Sequence, residues 1–458
     1  MTRFDGPDLP VGWTLTKVGS VLADIQSGFA SGAHNSDGSG LPHFRPMNVT
    51  TSGRIDRAVV KSIDPALADR PERRLRRGDV VFNNTNSLEL VGKTAFFDGN
   101  DSPAFSNHMT RLRTDPDQMV PEYLARYLHA CWVRGVFTQI ANNHVSQASV
   151  GRKVLSKLPL PLPSLPEQTC IVERLEEIDT RHIAALSHLV HARAILTNFR
   201  QAILAAACSG RLTGDWREEY PDARVVDLDR ITGLRKQRKS GQLAESTIDV
   251  PNLPDCYVVT TIASIATVLE YGTSRKADTG VDGVPVLRMG NIQDGVLDLA
   301  NLKYMTIDAE VERLMLHDGD LLFNRTNSPE LVGKSAVWRG SDQATFASYL
   351  IRVRFHEQTV VPEFANYWIG SAWGRLWARQ VKTDGVSQSN INGTKLGAMP
   401  IPLPPIDEQR EIVRRVERAL TASENILSRV NAASNLLGRT GHAAIARAFR
   451  GELVGDKE

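Results

Sequence analysis

Hydrophobic and polar positions follow two different spacings along this chain of 458 residues. Residues 1–165 and 251–405 carry short runs of β-branched and aromatic residues, such as Val80–Asn83, broken by Gly, Asn, Asp and Pro. Such runs predict short strands joined by turns. Near Pro121–Ala141 and Pro362–Gln380 the apolar spacing lengthens to three and four, which predicts at least one helix in each part. Both segments are therefore predicted to be β-rich α+β globular domains.

A long helix is predicted after each domain, over residues 166–212 and 406–454. Neither proline nor glycine occurs from Glu167 to Ser209, and apolar residues recur there every seven positions. This spacing predicts a helix of roughly 60 Å that buries one narrow stripe against a partner helix. The two helices are therefore predicted to pair as an antiparallel coiled coil. The stripes contain Leu175, Ile178, His182, Ala185, Leu189, Ala192, Leu196, Phe199, Ile203 and Ala206 in the first helix, and Val416, Ala419, Ile426, Val430, Ala433 and Leu437 in the second.

The chain is an internal repeat. With an offset of 241 residues, Gly78–Phe97 aligns with Gly319–Trp338 at thirteen of twenty positions, and the proline-rich strips before the two helices align as well. A repeat of this length predicts two tandem pseudo-symmetric halves, each with one domain and one helix. Residues 213–250 form the linker between them. Its basic run Arg235–Lys239 is interpreted as part of a solvated connector rather than a contact to phosphate.

Two Gly-Lys-Thr/Ser sequences suggest nucleotide-binding P-loops at first sight. The motif requires an earlier glycine, where this chain has Ser87 and Ser328, and a helix that begins at the lysine. Lys93 and Lys334 are instead followed by a few apolar residues and turn formers. This pattern predicts a structural turn followed by a short strand, so nucleotide binding is not expected.

Composition indicates an ordinary soluble protein. Hydrophobic residues make up 41%, charged residues 23%, and the formal net charge is +2, so no global basic signature of a nucleic-acid binder exists. The four cysteines lie far apart without the spacing of a zinc site or a disulfide framework. No basic-apolar leader and no apolar run of about 18 residues occurs. A cytoplasmic location with reduced thiols is expected, and no metal site.

The order of these pieces resembles the specificity subunit of type I restriction–modification systems. The similarity rests on "GDVVFNNTNSLELVGKTA", "VSQ", "PLPSLPEQ" and "AAACSGRLTGDWR", which recur as "GDLLFNRTNSPELVGKSA", "VSQ", "PLPPIDEQ" and "ARAFRGEL". The resemblance implies target-recognition domains at residues 1–165 and 251–405, spacer helices at 166–212 and 406–454, and a bipartite, non-palindromic DNA target. It also implies no catalytic site and no bound cofactor, with S-adenosylmethionine and ATP on partner subunits. The expected partners are double-stranded DNA and two modification subunits; the resemblance does not decide whether restriction subunits join them.

Candidate base-reading residues are those that suit guanine or adenine and are expected on exposed loops. In the first domain these are Ser31, His34, Arg45, Asn48, Arg54, Asn142, Asn143, His144 and Gln147. In the second they are Ser274, Arg275, Lys276, Arg288, Asn291, Lys382, Thr383, Gln388 and Asn390. Partner docking is expected near Glu167, Gln168, Glu408 and Gln409 and along the exposed helix faces.

Two other functional classes compete with this interpretation. A stand-alone adenine methyltransferase with its own recognition domains should carry an Asn/Asp-Pro-Pro-Tyr/Phe tetrapeptide and a glycine-rich cofactor loop, and neither occurs. A pure scaffold would need no base-reading residues. The two sets of basic and Asn-rich loops at matching positions argue against it.

Overall fold

Two compact units make up the chain. They are Met1–Val190 with Asn431–Glu458, and His191–Val430. The computed structural model describes residues 9–32, 34–35, 38–143, 147–221, 252–280, 282–340, 342–386 and 388–453. Most of the predicted linker, with the basic run Arg235–Lys239, lies outside these residues.

The globular part of the first unit is built from short strands and short helices. The strands are β1 Thr14–Lys17, β2 Leu22–Ser27, β3 Leu41–Phe44, β4 Lys61–Ile63, β5 Val80–Asn83, β6 Thr85–Asn86, β7 Thr94–Phe96, β8 Ala104–Phe105, β9 Met109–Thr114, β10 Asn142–Asn143, β11 Ala148–Ser149 and β12 Pro159–Leu162. The helices are α1 Pro121–Val133, α2 Val136–Ile140 and α3 Arg152–Ser156. The main sheet is antiparallel, in the order β2-β9-β5-β7, and smaller sheets are formed by β4-β3-β8, β10-β11-β6 and β1-β12.

The second unit repeats this topology. Between the first long helix α4 (Leu165–Cys208) and the next domain lies α5 (Gly214–Glu219). The strands are β13 Val258–Thr261, β14 Ala266–Tyr271, β15 Val284–Leu287, β16 Ile292–Gln293, β17 Val296–Leu297, β18 Lys303–Met305, β19 Leu321–Asn324, β20 Thr326–Asn327, β21 Ser335–Val337, β22 Thr345–Phe346, β23 Leu350–Phe355, β24 Thr383–Asp384, β25 Ser389–Asn390 and β26 Pro400–Leu403. The helices are α6 Ile262–Ile265, α7 Ala309–Arg313, α8 Pro362–Gly370, α9 Ala372–Val381, α10 Gly393–Gly397 and α11 Ile406–Ala448. Its main sheet has the order β14-β23-β19-β21, matching the first.

The central strand of each main sheet is buried on both faces. In β5, Val80 and Phe82 pack in the core that contains α1, whereas Val81 packs in a separate core with Phe44 and Phe97. Successive side chains of a strand point to opposite faces, so a strand with a core on each side needs an unbroken apolar run. This explains why the sequence shows no polar alternation here.

The long helices α4 and α11 pair with each other inside each unit. In the first unit Ile171 and Leu175, near the start of α4, share a core with Ala448 at the end of α11. In the second unit Ala207, at the end of α4, shares a core with Val416 near the start of α11. The start of one helix therefore packs near the end of the other, so the two helices run antiparallel. This confirms the predicted helix pairing and the α+β fold class with two halves.

His182 lies where α4 and α11 approach closely in the first unit. A Cβ atom added at Gly441 would lie 3.3 Å from His182 Cε1, closer than most side-chain contacts. A side chain at position 441 would therefore require the His182 ring to move by a few tenths of an ångström. This contact is consistent with a role of His182, the one polar member of the stripe, in fixing the register of the two helices.

The two Gly-Lys sequences form turns. Gly92 and Gly333 have φ values of +90° and +85°, which favour glycine, and their N–H groups donate to the Asn83 and Asn324 carbonyls at 2.8 Å. Strands β7 and β21 follow, so the prediction of a strand in place of a P-loop helix is confirmed. The Lys93 ammonium donates to the Val49 carbonyl, and burial lowers its pKa. The Lys93 ammonium is thus buried and hydrogen-bonded within the protein, and it is not available to bind a phosphate.

Candidate nucleic-acid interface

A β-hairpin in each unit carries a large part of the candidate base-reading residues. In the first unit β10 and β11 pair with each other and β11 pairs with β6, so the hairpin is attached to the end of the main sheet strand β5. The second unit has the same arrangement with β24, β25 and β20. A two-stranded ribbon of this kind is narrow enough to enter the major groove of DNA. The scaffold thus presents the two hairpins in equivalent ways.

Side chains on the two hairpins differ between the units. Asn142, Asn143 and Gln147 are exposed in the first, and Thr383 and Gln388 are exposed in the second. His144 lies outside the described residues. Within each unit, strand pairing therefore places these exposed residues on one hairpin.

Two candidates on the second hairpin have intramolecular partners. The half-buried Lys382 pairs with the Asp384 carboxylate, and Asn390 Nδ2 donates to Thr326 Oγ1 at 2.8 Å. Both side chains support the ribbon in this conformation. A contact from either to DNA requires exchange of that partner.

A second group of candidates lies outside the hairpins. Ser31, His34, Arg45 and Arg288 are partly exposed, and Arg54, Ser274, Arg275 and Lys276 are exposed. Arg54 lies 3.6 Å from the carboxylate of Asp179 on α4, and Arg275 pairs with Asp308. Their charges remain accessible to solvent, and exposed ion pairs of this kind contribute little to stability. Exchange for a phosphate or a base is therefore inexpensive at these arginines.

The imidazole of His34 contacts another histidine. His34 Nε2 lies 3.2 Å from His43 Nδ1. The pKa of His43 is lowered to about 4 by burial, by His34 and by Arg45, and the pKa of His34 is lowered by burial, Arg45 and Lys61. Both rings are therefore neutral near pH 7. His34 can offer a hydrogen bond to a base edge but not a charge to a phosphate.

Asn48 and Asn291 do not meet the expectation of exposure, and their prediction as base-reading residues is wrong. They are only 2% and 4% exposed. Asn48 Nδ2 donates to the carbonyls of Asp56 and Val59 at 3.0 and 2.9 Å, and its Oδ1 accepts from Arg45 N at 2.9 Å. Asn291 makes the matching bonds, to the Asp298 carbonyl at 2.8 Å and from Arg288 N at 2.9 Å. Both amides stabilise a loop from within.

The expected docking role of Gln168 and Gln409 is also wrong, because both are fully buried. Gln168 accepts from Val120 N at 2.8 Å and donates to the Gln118 and Pro163 carbonyls at 3.0 Å. Gln409 repeats this set, accepting from Val361 N at 2.8 Å and donating to the Thr359 and Pro404 carbonyls at 2.9 Å. We call these two residues the glutamine joints. They fasten the start of each long helix to the domain that precedes it.

The neighbouring glutamates have different environments. Glu408 is fully buried, accepts from Thr213 Oγ1 at 2.7 Å and Tyr257 Oη at 2.8 Å, and pairs with the Arg217 guanidinium. Glu167 is half-buried and accepts from Trp13 Nε1 at 2.8 Å. Glu408 therefore cannot serve as a docking residue, while part of Glu167 stays accessible.

A further pair of positions, Asn84 and Arg325, differs between the two units. They occupy equivalent positions after β5 and β19, and their backbone N–H groups bond the carbonyls of His108 and Tyr349 at 3.1 and 3.0 Å. The Arg325 guanidinium stacks 4.8 Å from the centre of the Tyr271 ring, whereas Asn84 Nδ2 donates to Thr110 Oγ1 at 2.9 Å. The same backbone thus presents an arginine–tyrosine pair in one unit and a small amide in the other.

Within the described part of the chain, no helix has the length and apolar character needed to cross a membrane.

Comparison with known proteins agrees with this architecture. Residues 11–189 match the family model described as the type I restriction modification DNA specificity domain. The specificity subunit of the type I restriction enzyme EcoKI from Escherichia coli K12 is 26% identical, over 97% of this chain and 90% of its own. The StySPI specificity subunit from Salmonella potsdam is 25% identical, over 90% of this chain and 82% of its own.

Solved structures show the same fold over the whole length. A chain from a structure of type I R-M system assembly and conformational transition has a TM-score of 0.64 and 16% identity, covering 98% of this chain and 100% of its own. The HsdS subunit from Thermoanaerobacter tengcongensis has a TM-score of 0.58 and 17% identity, covering 98% and 99%. In sequence, in internal repeat and in fold, this chain is therefore similar to type I restriction–modification DNA specificity subunits over nearly its whole length.

Proposed function

We propose that this chain selects the DNA target of a type I restriction–modification complex by reading two different half-sites, one with each globular domain. The observation that carries this proposal is one backbone scaffold used twice with different exposed side chains. Asn142 and Asn143 on one hairpin correspond to Thr383 and Asp384 on the other. Two unlike readers give a bipartite target without palindromic symmetry. A chain with this function would act on cellular DNA, so its proposed location is the cytoplasm.

The test is binding to DNA with and without the modification subunit. An electrophoretic shift assay with genomic fragments, followed by methylome sequencing of strains with and without this chain, should give one bipartite motif. Deletion of the chain should abolish methylation at that motif. Unchanged methylation in the deletion strain would contradict the proposal.

We propose further that catalysis belongs to the partner subunits. Alone with S-adenosylmethionine or ATP, the purified chain should neither methylate nor cleave DNA. Lys93→Ala and Lys334→Ala are the matched variants, because the two lysines occupy equivalent Gly-Lys sequences in the two halves. They differ in exposure, since Lys93 is 6% exposed and Lys334 is partly accessible. ATP binding, measured by calorimetry, should be absent from the parent chain and from both variants. ATP affinity that disappears with either lysine would contradict this assignment.

Two modification subunits are the proposed protein partners, because a duplicated chain offers two quasi-equivalent docking surfaces. The joints at the helix starts are buried, so docking falls on the exposed faces of the long helices. Apolar side chains lie on those faces: Ile183 and Val190 are 53% and 70% exposed in the first unit, and Ile195 and Ile426 are 56% and 49% exposed in the second. Ile426 thus lies outside the buried stripe to which the heptad spacing assigned it, so that assignment is wrong. Native mass spectrometry at saturating partner should show two bound copies.

A charge placed on the helix face should weaken this docking. Val190→Asp is expected to reduce the affinity for one modification subunit by roughly tenfold, because a carboxylate would be desolvated in an apolar contact. Ser187→Asp, at an exposed position of the same helix, is the matched control for added charge. Equal losses in both variants, or none in either, would place docking elsewhere.

A further inference from the structure

Val386 is an apolar residue held entirely in solvent. Its relative exposure is 110%, at the tip between β24 and β25, where neighbouring side chains are polar. A fully exposed valine contributes no burial to folding. On a surface proposed to bind DNA it is available for an intermolecular contact.

The ribbon that carries Val386 is held firmly by its own contacts. Gly385 N donates to the Gln388 carbonyl at 2.7 Å, which closes the turn. At the base, Lys395 Nζ donates to Thr383 Oγ1 at 2.7 Å, and Ser389 Oγ bonds the Asp384 carboxylate. A side chain on such a support needs little ordering when it binds, which favours contact.

The sequence at this tip recurs in the first half of the chain. Val386–Gln388 reads Val-Ser-Gln, and the same three residues occur at Val145–Gln147, although the preceding residues differ. Shared residues that are buried, such as Asn48 and Asn291, stabilise the fold, whereas shared residues that are exposed, such as Val386 and Gln388, are available to read a common feature of the DNA. The tripeptide therefore points to a feature present in both half-sites.

The chemistry of this tip matches an A·T base pair in the major groove. There adenine presents N7 and N6 to an amide such as that of Gln388, and thymine presents its C5 methyl group to an apolar side chain. Resting on the proposed function above, we infer that Val386 is a specificity-determining residue that packs against a thymine methyl group, with Gln388 reading adenine beside it.

The experiment removes the methyl group from DNA and the apolar group from the protein. The complex of this chain with its modification subunits is bound to its target duplex, in which each thymine of both half-sites is replaced in turn by deoxyuridine. In the parent complex one position should lose about fourfold in affinity, the value of one buried carbon group. With Val386→Ala the duplex with natural thymine should bind about fourfold more weakly, and that position should become insensitive to deoxyuridine.

Val11→Ala is the matched control. Val11 is 103% exposed, lies in a turn of the first unit, and its position in the repeat holds Asp255 in the second half. Its deoxyuridine profile should equal that of the parent complex, and thermal denaturation should show that both variants are folded.

Three results would overturn the inference: no deoxyuridine position matters in the parent complex, Val386→Ala keeps the parent profile, or Val386→Ala loses affinity equally on fully deoxyuridine-substituted DNA. Absence of sequence-specific binding by the parent complex would instead refute the proposed function itself.

Discussion

Replacement of Glu408 by alanine is expected to destabilise the second unit by about 3–5 kcal/mol. The carboxylate is fully buried and accepts hydrogen bonds from Thr213 Oγ1 and Tyr257 Oη. It also pairs with the guanidinium of Arg217, whose side chain is 22% exposed. Without the carboxylate, a largely buried cation and two hydroxyl groups lose their shared acceptor. That loss costs far more than an exposed ion pair would.

Hydrogen exchange measures this effect better than one global melting curve, since a chain of two units need not unfold in a single step. Amides of residues 210–220 should exchange faster in the Glu408→Ala variant. Glu167→Ala is the matched control, because Glu167 accepts one side-chain hydrogen bond, from Trp13. Its cost should be about 1 kcal/mol. Equal losses in the two variants would show that the Arg217 network adds nothing.

A seven-residue insertion in each long helix is expected to change the target of the complex without changing either half-site. Each long helix supplies residues to both units. An insertion after Ala192 and another after Ala433 therefore lengthen each helix close to the point where it passes from one unit to the other. Seven residues keep the apolar stripe in phase and add about 10 Å, or roughly three base pairs. Methylome sequencing should therefore show the same half-sites with a longer gap.

The control for this prediction is a four-residue insertion at the same two points. It rotates the apolar stripe relative to the partner helix and should cost folding. A heptad variant that methylates altered half-sites with an unchanged gap would contradict the division into readers and spacer helices. So would a four-residue variant that folds and methylates normally.

Repeats and spacing predicted the larger part of the fold. The aligned segments Gly78–Phe97 and Gly319–Trp338 form the same strand, turn and strand, because the turn glycines and the buried strand residues carry their own constraints. Both long helices followed from heptad spacing, and the first followed also from a stretch without proline or glycine. Both signals are local, so a single sequence contains them.

The candidate site was harder to predict because polarity does not show which way an amide faces. Asn48 and Gln168 occur among loop and helix-start residues that look accessible, yet both satisfy main-chain groups that arrive from distant parts of the chain. Only tertiary structure brings the Asp56 carbonyl or the Val120 amide into place. Asn48 and Asn291 occupy equivalent positions of the repeat, and so do Gln168 and Gln409. This recurrence of the same residue was the signal in the sequence that could have indicated a structural role.

Exposure of apolar residues was equally hidden from the pattern. Val386 lies between Gly385 and Ser387 in the sequence, and Val150 lies between Ser149 and Gly151, yet Val386 is 110% exposed and Val150 is 1% exposed. Sequence periodicity assigns such residues to a core by default. The turn between β24 and β25 has too few residues to show a period, so its geometry had to come from the structure.

The glutamine joints have a consequence for how new DNA targets arise. Each joint bonds main-chain groups alone, at Val120, Gln118 and Pro163 in one half and Val361, Thr359 and Pro404 in the other. A main-chain group is the same whatever side chain it carries, so the joint accepts any domain of this fold. Exchange of one domain at the proline-rich strip would therefore leave the joint intact, and under the proposed function it would change one half-site in a single step while the other half-site stays the same.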